Sequence, residues 1–235
     1  MANYIYGRNP VIAALETRKA KKVFLKDGTN DDKLLTAIKS SGVEIIRVSN
    51  DELTKLSKTT KHQGVVALKE EFQYVDLDQI IQASLKKEKP LILMLDEVQD
   101  PHNFGAIIRT AAAFNVDGII IKEYGQVLVN DTVEKAAVGA INHIKIAKVK
   151  NLNNAIKKLK DKGYWIYASA LKDSCDYLTL TYDRPTVLIM GSEGDGISRL
   201  LLENSDFVIR IDIDKNVESL NVSVATGIIL ARMRQ

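Results

Sequence analysis

The sequence contains few of the residues that build disulfide or metal sites. Its 235 residues include one cysteine, Cys175, and three histidines, His62, His102 and His143. A single cysteine forms no disulfide within the chain, and we expect Cys175 to be a small buried residue. The histidines lack the H-x-x-x-H spacing, with cysteines or carboxylates nearby, that a zinc site requires. The sequence therefore predicts no metal in the chemistry of this protein.

Long apolar runs are also lacking. No run of about twenty apolar residues is present, so the sequence predicts no membrane span. The first residues, Met-Ala-Asn-Tyr-Ile-Tyr-Gly-Arg, lack the basic stretch and apolar core of an export signal. With 46% hydrophobic residues and only four prolines, the composition indicates a globular chain of one or two domains with a substantial core. We therefore expect a cytoplasmic protein.

Positive charge is unevenly distributed along the chain. Residues 1–72 carry 13 Lys and Arg against 9 Asp and Glu, whereas the remainder carries 20 against 21. Basic clusters at Arg18-Lys-Ala-Lys-Lys22 and at Lys55, Lys58 and Lys61 are suited to RNA phosphates. They are equally typical of ordinary solvated surface, so charge alone does not decide between the two interpretations.

Apolar periodicity predicts an α/β protein with two domains. Residues 1–72 alternate helical and extended patterns and predict a small α/β domain. A charged segment at 73–90, ending in Lys86-Lys-Glu-Lys-Pro90, predicts a linker. Residues 91–235 then predict an open parallel sheet with helices on both faces. The predicted strands are 91–95, 118–121, 164–168, 186–190 and 207–211.

Three motifs follow predicted strands. They are Asp100-Pro-His-Asn-Phe-Gly-Ala-Ile-Ile-Arg109, Ile189-Met-Gly-Ser-Glu-Gly-Asp-Gly196 and Ser219-Leu-Asn-Val-Ser-Val-Ala225. Ligands of open α/β sheets bind beyond the carboxyl ends of the strands, so the motifs predict one shared site. The glycine spacing in the second motif is G-x-x-G-x-G, the reverse of a dinucleotide fingerprint, and no G-x-x-x-x-G-K-[ST] phosphate loop is present.

Each polar motif residue also has a purely structural interpretation. Asn103 and Asn221 are suited to capping the helices that follow them, Ser219 suits a turn, and Glu193 suits a surface loop. Arg109 lies in an otherwise apolar helix and needs a partner. That partner is either a carboxylate such as Glu193 or Asp96, or a group in the active site.

The order of these motifs resembles the SpoU/TrmH, or SPOUT, family of RNA ribose methyltransferases. Two segments of the first domain, Gly7-Arg-Asn-Pro-Val-Ile-Ala-Ala-Leu15 and His62-Gln-Gly-Val-Val-Ala67, resemble the family's substrate-binding domain. The resemblance implies a ribosomal-protein-like RNA-binding domain at 1–72 and a SPOUT catalytic domain at 91–235. It also implies a C-terminal trefoil knot and a homodimer, which general topology rules would not have suggested.

The implied activity is transfer of a methyl group from S-adenosylmethionine to a ribose 2′-hydroxyl of RNA. The match is nearest to the bacterial enzymes that methylate a guanosine of 23S rRNA. Transfer-RNA and antibiotic-resistance rRNA methyltransferases, and a non-catalytic ribosome-assembly protein, are the alternatives. The segment Lys135-Ala-Ala-Val-Gly-Ala140 and Asn142 depart from many relatives, which leaves the exact RNA target open.

The resemblance also assigns roles to individual residues. Arg109 resembles the family's catalytic arginine, which would stabilise the developing alkoxide or hold a neighbouring phosphate. The supporting catalytic residues would be Asn103, Glu193, Ser219 and Asn221. The cofactor would contact Gly191, Ile211, Ile213 and Leu220, and RNA would contact Arg8, Asn9, His62 and Gln63.

Overall fold

The computed structural model describes residues 3–235, which form two compact units that divide after Phe72. Residues 1 and 2 of the predicted first domain lie outside the described residues. The first unit contains, in chain order, β1 (Asn3–Tyr6), α1 (Arg8–Glu16), β2 (Ala20–Lys26), α2 (Asp32–Ser41), β3 (Glu44–Val48), α3 (Asn50–Ser57) and β4 (Val65–Lys69).

The first unit is a four-stranded mixed sheet with the strand order β1-β4-β2-β3. Strands β2 and β3 are parallel, and β4 runs antiparallel to both β1 and β2. Helices α1 and α2 cover one face, where Val11, Leu15, Leu34 and Val23 form its core. The sequence patterns did not predict β1 or α3. Helix α3 is largely polar and contributes only Leu53 to the fully buried residues, so it has a weak helical signal.

The second unit contains twelve helices and strands between Leu77 and Arg210, followed by a final helix. They are α4 (Leu77–Ser84), β5 (Leu91–Leu95), α5 (Pro101–Ala113), β6 (Gly118–Lys122), α6 (Asp131–Ala137), β7 (Ile146–Val149), α7 (Leu152–Lys160), β8 (Trp165–Ser169), the short β9 (Cys175–Asp176), β10 (Thr186–Met190), α8 (Arg199–Glu203), β11 (Phe207–Arg210) and α9 (Val222–Met233). Short 3-10 helices lie at Ala140–His143 and Tyr177–Thr179.

Seven strands of the second unit form one sheet in the order β7-β6-β5-β10-β8-β11-β9. Every pairing in this sheet is parallel, which confirms the predicted α/β class. Strands β7 and β9 at the two edges were not predicted, because they are only four and two residues long. Cys175 lies in edge strand β9 and is half-buried rather than buried.

Helices cover both faces of this sheet. Helices α4, α7 and α8 pack on one face against alternate strand residues such as Ile92, Met94 and Ile166. Helices α5 and α9 contact each other, and their apolar residues are buried away from that cluster. Within residues 3–235, no helix combines the length and apolar character needed to span a bilayer.

The segment expected to be a linker packs with the second unit. Its helix α4 buries Ile80 and Ile81, and Ile80 fills the space that a side chain at Gly118 would need. Burial of these apolar side chains lowers the free energy of the folded chain, so part of segment 73–90 is structured. The trefoil knot stays a prediction.

Candidate active site

The three motifs lie on loops at one edge of the seven-stranded sheet. The first loop follows β5, the second follows β10, and the third, from Ile211 to Asn221, follows β11. Because all three strands are parallel, their carboxyl ends share that edge. Residues more than 100 positions apart in the sequence therefore face one another.

The glycine motif forms a tight turn. Ser192 and Gly196 exchange two backbone hydrogen bonds, of 3.1 and 3.2 Å, that close the turn. A Cβ atom at Gly191 would lie 2.2 Å from backbone atoms of Gly196, so only glycine fits at this position. Gly194 has a φ of 109°, which L side chains rarely adopt. The turn places Glu193 and Asp195 at its tip.

A buried carboxylate attaches this turn to the neighbouring strand. Asp96, which directly follows β5, is 2% exposed. Its Oδ2 accepts a hydrogen bond of 2.8 Å from the backbone N–H of Ser198, and its own N–H donates to the carbonyl of Met190 at 2.9 Å. The first and second motif loops are therefore held together as one structure.

Side chains from all three motifs meet in one hydrogen-bonded network. Glu193 Oε1 accepts from Asn103 Nδ2 at 3.0 Å and from Asn221 Nδ2 at 2.7 Å. The same Asn221 amide nitrogen also lies 2.9 Å from Asn103 Oδ1. Hydrogen bonds to a carboxylate are among the stronger ones in proteins, so this network orders the three loops relative to one another. The prediction that these loops form one site is met for these three residues.

The interpretation that the two asparagines cap helices is wrong for Asn103 and confirmed for Asn221. Asp100 is the N-cap of α5, and its Oδ1 accepts from the N–H of His102 at 2.8 Å. Asn103 lies inside the helix and does not cap it. Asn221 caps α9 through its Oδ1, which accepts from the N–H of Ser223 at 2.9 Å, while its Nδ2 joins the network. Asn221 therefore has both roles.

A cavity of about 480 Å³ opens beside this network. That volume lies within the range of small-molecule and cofactor sites. All four residues predicted to contact the cofactor line it, together with Ser219 and Glu193. The lining residues are Ser169, Ala170, Leu171, Lys172, Met190, Gly191, Ser192, Glu193, Gly194, Asp195, Gly196, Ile197, Leu202, Arg210, Ile211, Ile213, Glu218, Ser219, Leu220, Val222 and Ala225.

Part of the cavity wall was not predicted from the sequence. Residues 169–172, which follow β8, line it because β8 lies between β10 and β11 in the sheet. The sequence predicted a strand at 164–168 but not its position in the strand order, so it did not show that the residues after it reach the cavity. Arg210 and Glu218 also line the cavity. Among the residues that the structure describes, no group of three or more His, Cys, Asp or Glu side chains is placed to hold a metal ion.

Arg109 is not brought to this cavity within the single chain. Its side chain is exposed and does not line the cavity. Six residues turn a helix by about 600°, so Arg109 lies about 120° around α5 from Asn103. The proposed ion pairs with Glu193 or Asp96 are also absent, because both carboxylates bond other groups. The distance between Asn103 and Arg109 along the helix axis was therefore not enough to predict on which side of α5 Arg109 lies.

The four residues predicted to contact RNA lie close together in the first unit but differ in exposure. Gln63 Oε1 accepts from the backbone N–H of Arg8 at 3.0 Å, which joins the two segments. Arg8, Asn9 and Gln63 are exposed, and an Arg8 nitrogen lies 2.9 Å from Asp31. Helix α1 begins at Arg8, so Asn9 lies within the first turn.

His62 differs from these neighbours because it is only 2% exposed. Its Nδ1 accepts from the N–H of Gly64 at 3.2 Å, and its Nε2 lies 3.2 Å from Thr54 Oγ1. The intervening Gln63 and Gly64 both have positive φ values, of 55° and 80°. His62 therefore supports the turn that presents Gln63, rather than offering its own ring to a ligand.

Comparisons with known proteins identify the family. A family model described as the SpoU rRNA Methylase family matches residues 90–231. A second model, described as RNA 2′-O ribose methyltransferase substrate binding, matches residues 4–75. The chain therefore belongs to the SpoU methylase family, as its motifs predicted.

Individual relatives agree with this assignment. The chain is 36% identical over 233 residues to YacO of Bacillus subtilis, named as a TrmH family tRNA/rRNA methyltransferase, with 97% of this chain and 93% of the relative covered. The structure of an AdoMet-bound rRNA methyltransferase from Sinorhizobium meliloti matches with a TM-score of 0.68 and 27% identity, over 98% of this chain and 86% of that one. The A. aeolicus TrmH/SpoU tRNA modifying enzyme matches with a TM-score of 0.58 and 34% identity, over 67% and 80%.

Proposed function

We propose that this protein transfers a methyl group from S-adenosylmethionine to a ribose 2′-hydroxyl of RNA. The observation that carries the proposal is the network of Asn103, Glu193 and Asn221 at the side of the cavity. Membership of the SpoU methylase family supports the same chemistry. A guanosine of 23S rRNA is the proposed target, and the proposed location is the cytoplasm.

The cavity suits the methyl donor. Ile211, Ile213 and Leu220 offer apolar contact to an adenine ring, while the turn at Gly191 exposes backbone for polar contacts. The lining carries three acidic side chains, Glu193, Asp195 and Glu218, against the two cations Lys172 and Arg210, and this small negative excess is compatible with a positively charged sulfonium compound. The S. meliloti neighbour is an AdoMet-bound structure, which is consistent with this choice.

The donor, when bound, supplies an electrophilic methyl carbon, so the protein needs no covalent intermediate. The remaining task of the chain is to orient the ribose hydroxyl toward that carbon and to ease loss of its proton. Asn103, Glu193 and Asn221 hold the edge of the cavity where the ribose would lie. Ser219, on the cavity wall, is placed to bond the ribose or donor.

Arg109 is proposed to stabilise the developing alkoxide or to hold a neighbouring phosphate. An arginine is too basic to be deprotonated readily, so charge stabilisation is the better role. Its guanidinium is exposed and makes no hydrogen bond or ion pair with the residues described here. We propose a homodimer in which substrate groups from two copies complete the site. Sedimentation should report two chains per particle.

The experiment is methyl transfer from tritium-labelled S-adenosylmethionine to separated 23S rRNA and tRNA from cells lacking the protein. We expect label in 23S rRNA and a stop to reverse transcription at low nucleotide concentration at one guanosine. Label in tRNA alone would make tRNA the substrate. A tRNA target is the second candidate, and the likeness to the A. aeolicus tRNA modifying enzyme favours it. No transfer to either RNA, with the donor bound, would contradict the enzymatic proposal.

A further inference from the structure

One side chain outside the cavity is unusually exposed for its type. Tyr124, in the loop after β6, is 74% exposed and is the most exposed large apolar residue among those the structure describes. An isolated exposed apolar residue is common on protein surfaces and needs no explanation. Tyr124 differs because of where its loop lies and how that loop is held.

The loop that carries Tyr124 is fixed to the loop that leads into helix α5. Lys122 Nζ lies 2.5 Å from Glu97 Oε1, and Gln99 Nε2 donates to the carbonyl of Gly125 at 2.7 Å. The N–H of Val127 also donates to the carbonyl of Val98 at 3.0 Å. These three contacts flank Tyr124 along the chain and order the backbone of its loop, so little backbone entropy is lost when a ligand contacts the ring.

The sheet order places Tyr124 at the same edge as the active site. Strand β6 neighbours β5 on the side away from β10, and all three strands are parallel. The cavity opens at the ends of β10, β8 and β11, and Asn103 follows β5. Since neighbouring strands are about 4.8 Å apart, the end of β6 is about 10 Å from the end of β10. A stacked nucleic-acid strand rises about 3.4 Å per residue, so a few nucleotides span that distance.

One exposed cation also lies at this edge of the sheet. Lys150 directly follows β7, the strand beyond β6, and is exposed with no hydrogen bond or ion pair to another described residue. Tyr124 and Lys150 therefore follow neighbouring strands at one edge. Proteins hold single-stranded RNA with such groups, with bases stacked on aromatic rings and phosphates near lysines.

We propose that Tyr124 stacks on an unpaired base that flanks the methylated nucleotide. The inference rests on the proposed function, because it needs an RNA whose target ribose lies at the cavity. It assigns Tyr124 to substrate binding, not to the reaction step, and it assigns Lys150 to a phosphate of the same strand. The recognised RNA is therefore single-stranded next to its target, because bases in a duplex do not offer a free face.

The test compares Tyr124→Ala and Tyr124→Phe with the wild-type chain, using total RNA from cells lacking the protein and tritium-labelled donor. We expect Tyr124→Ala to raise the KM for RNA by about 5- to 150-fold, the range found when a stacked base loses its ring. The kcat at saturating RNA should change little, and Tyr124→Phe should remain within about twofold of wild type. Donor affinity should be unchanged, because Tyr124 does not line the cavity.

Leu178→Ala is the matched control. Leu178 is 55% exposed and lies beyond the cavity lining, in the 3-10 helix after β9, so its removal should leave the KM for RNA unchanged. An unchanged KM in Tyr124→Ala, an equal loss in Tyr124→Phe, or dissociation of an oligomer by Tyr124→Ala would each overturn the stacking proposal. Absence of methyl transfer by the wild-type chain would instead contradict the proposed function, which separates the two failures.

Discussion

In the second unit, polar residues from all three motif loops come together beside one cavity, whereas in the first unit the motif residues divide between interior and surface. Asn103, Glu193 and Asn221 bond one another across three loops. In the first unit, buried His62 supports a turn while Arg8 and Gln63 are exposed. A motif in a sequence therefore marks residues that a function needs, but it does not separate those that touch the ligand from those that hold the backbone.

The largest expected effect tests Arg109, the candidate catalytic residue that neither lines the cavity nor joins the network beside it. Arg109→Ala should lower the rate of methyl transfer by about 10²- to 10³-fold, the effect of removing one group that stabilises developing charge. Donor affinity should not change, because Arg109 does not line the cavity. Single-turnover tritium transfer measures the rate, and calorimetry measures donor binding. A wild-type rate in a folded variant would remove Arg109 from the site.

The next effect tests whether the glycine turn shapes the cavity. In Gly191→Ala the new Cβ would meet backbone of Gly196 at 2.2 Å, and such overpacking costs about 1–3 kcal/mol. Donor affinity should therefore fall by about tenfold or more in calorimetry. Gly227→Ala is the control, because its Cβ would make an ordinary 3.5 Å contact with Thr110. Equal donor affinity in both variants would show that the turn does not shape the donor site.

A smaller effect distinguishes residues of the first unit that support the backbone from residues that contact a ligand. His62→Ala leaves the part-buried N–H of Gly64 without its acceptor, and loss of such a hydrogen bond costs about 1 kcal/mol. Hydrogen exchange at Gly64 and Val65 should accelerate, while donor affinity stays constant. Asn9→Ala, at an exposed position of the same surface, should leave exchange at Gly64 unchanged. Unchanged exchange in His62→Ala would show that the ring does not support the turn.

The smallest effect concerns the exposed arginine of the first unit. If Arg8 meets one RNA phosphate, Arg8→Ala should reduce the slope of log affinity against log salt by about one. Arg199→Ala is the comparison, since Arg199 is an exposed arginine of helix α8 paired with Glu203 at 2.7 Å. Filter binding over a range of salt measures both slopes. Identical slopes for Arg8→Ala and wild type would assign Arg8 to the surface ion pair with Asp31 alone.

The sequence was sufficient for features that arise from local periodicity. The run Leu91–Leu95 is continuously apolar, Thr186–Met190 is apolar after its first residue, and both are fully buried strands. Edge strand β7 and helix α3 were missed because each buries few residues, so neither leaves a clear pattern. Segment 73–90 was predicted to contain a polar helix from Asp76, and the structure has helix α4 at Leu77–Ser84, but its packing through Ile80 and Ile81 was not predicted.

The sequence predicted which residues form the candidate site more completely than it predicted how those residues are arranged. The four proposed cofactor residues and Ser219 line one cavity. The residues after β8 were missed because nothing local shows that β8 pairs between β10 and β11. The direction of Arg109 was also missed, because its angular position on α5 matters as much as its distance along the axis.

The α/β class, the family and the residue types of the site could be predicted from the order of the amino acids, because apolar periodicity and short motifs are local properties of the chain. The folded arrangement fixed which of those residues meet. Parallel strands bring loops more than 100 residues apart to one edge, where Glu193 accepts hydrogen bonds from Asn103 and Asn221. It also decided that His62 is buried and Tyr124 exposed, since burial depends on what packs against a residue and not on its neighbours in sequence.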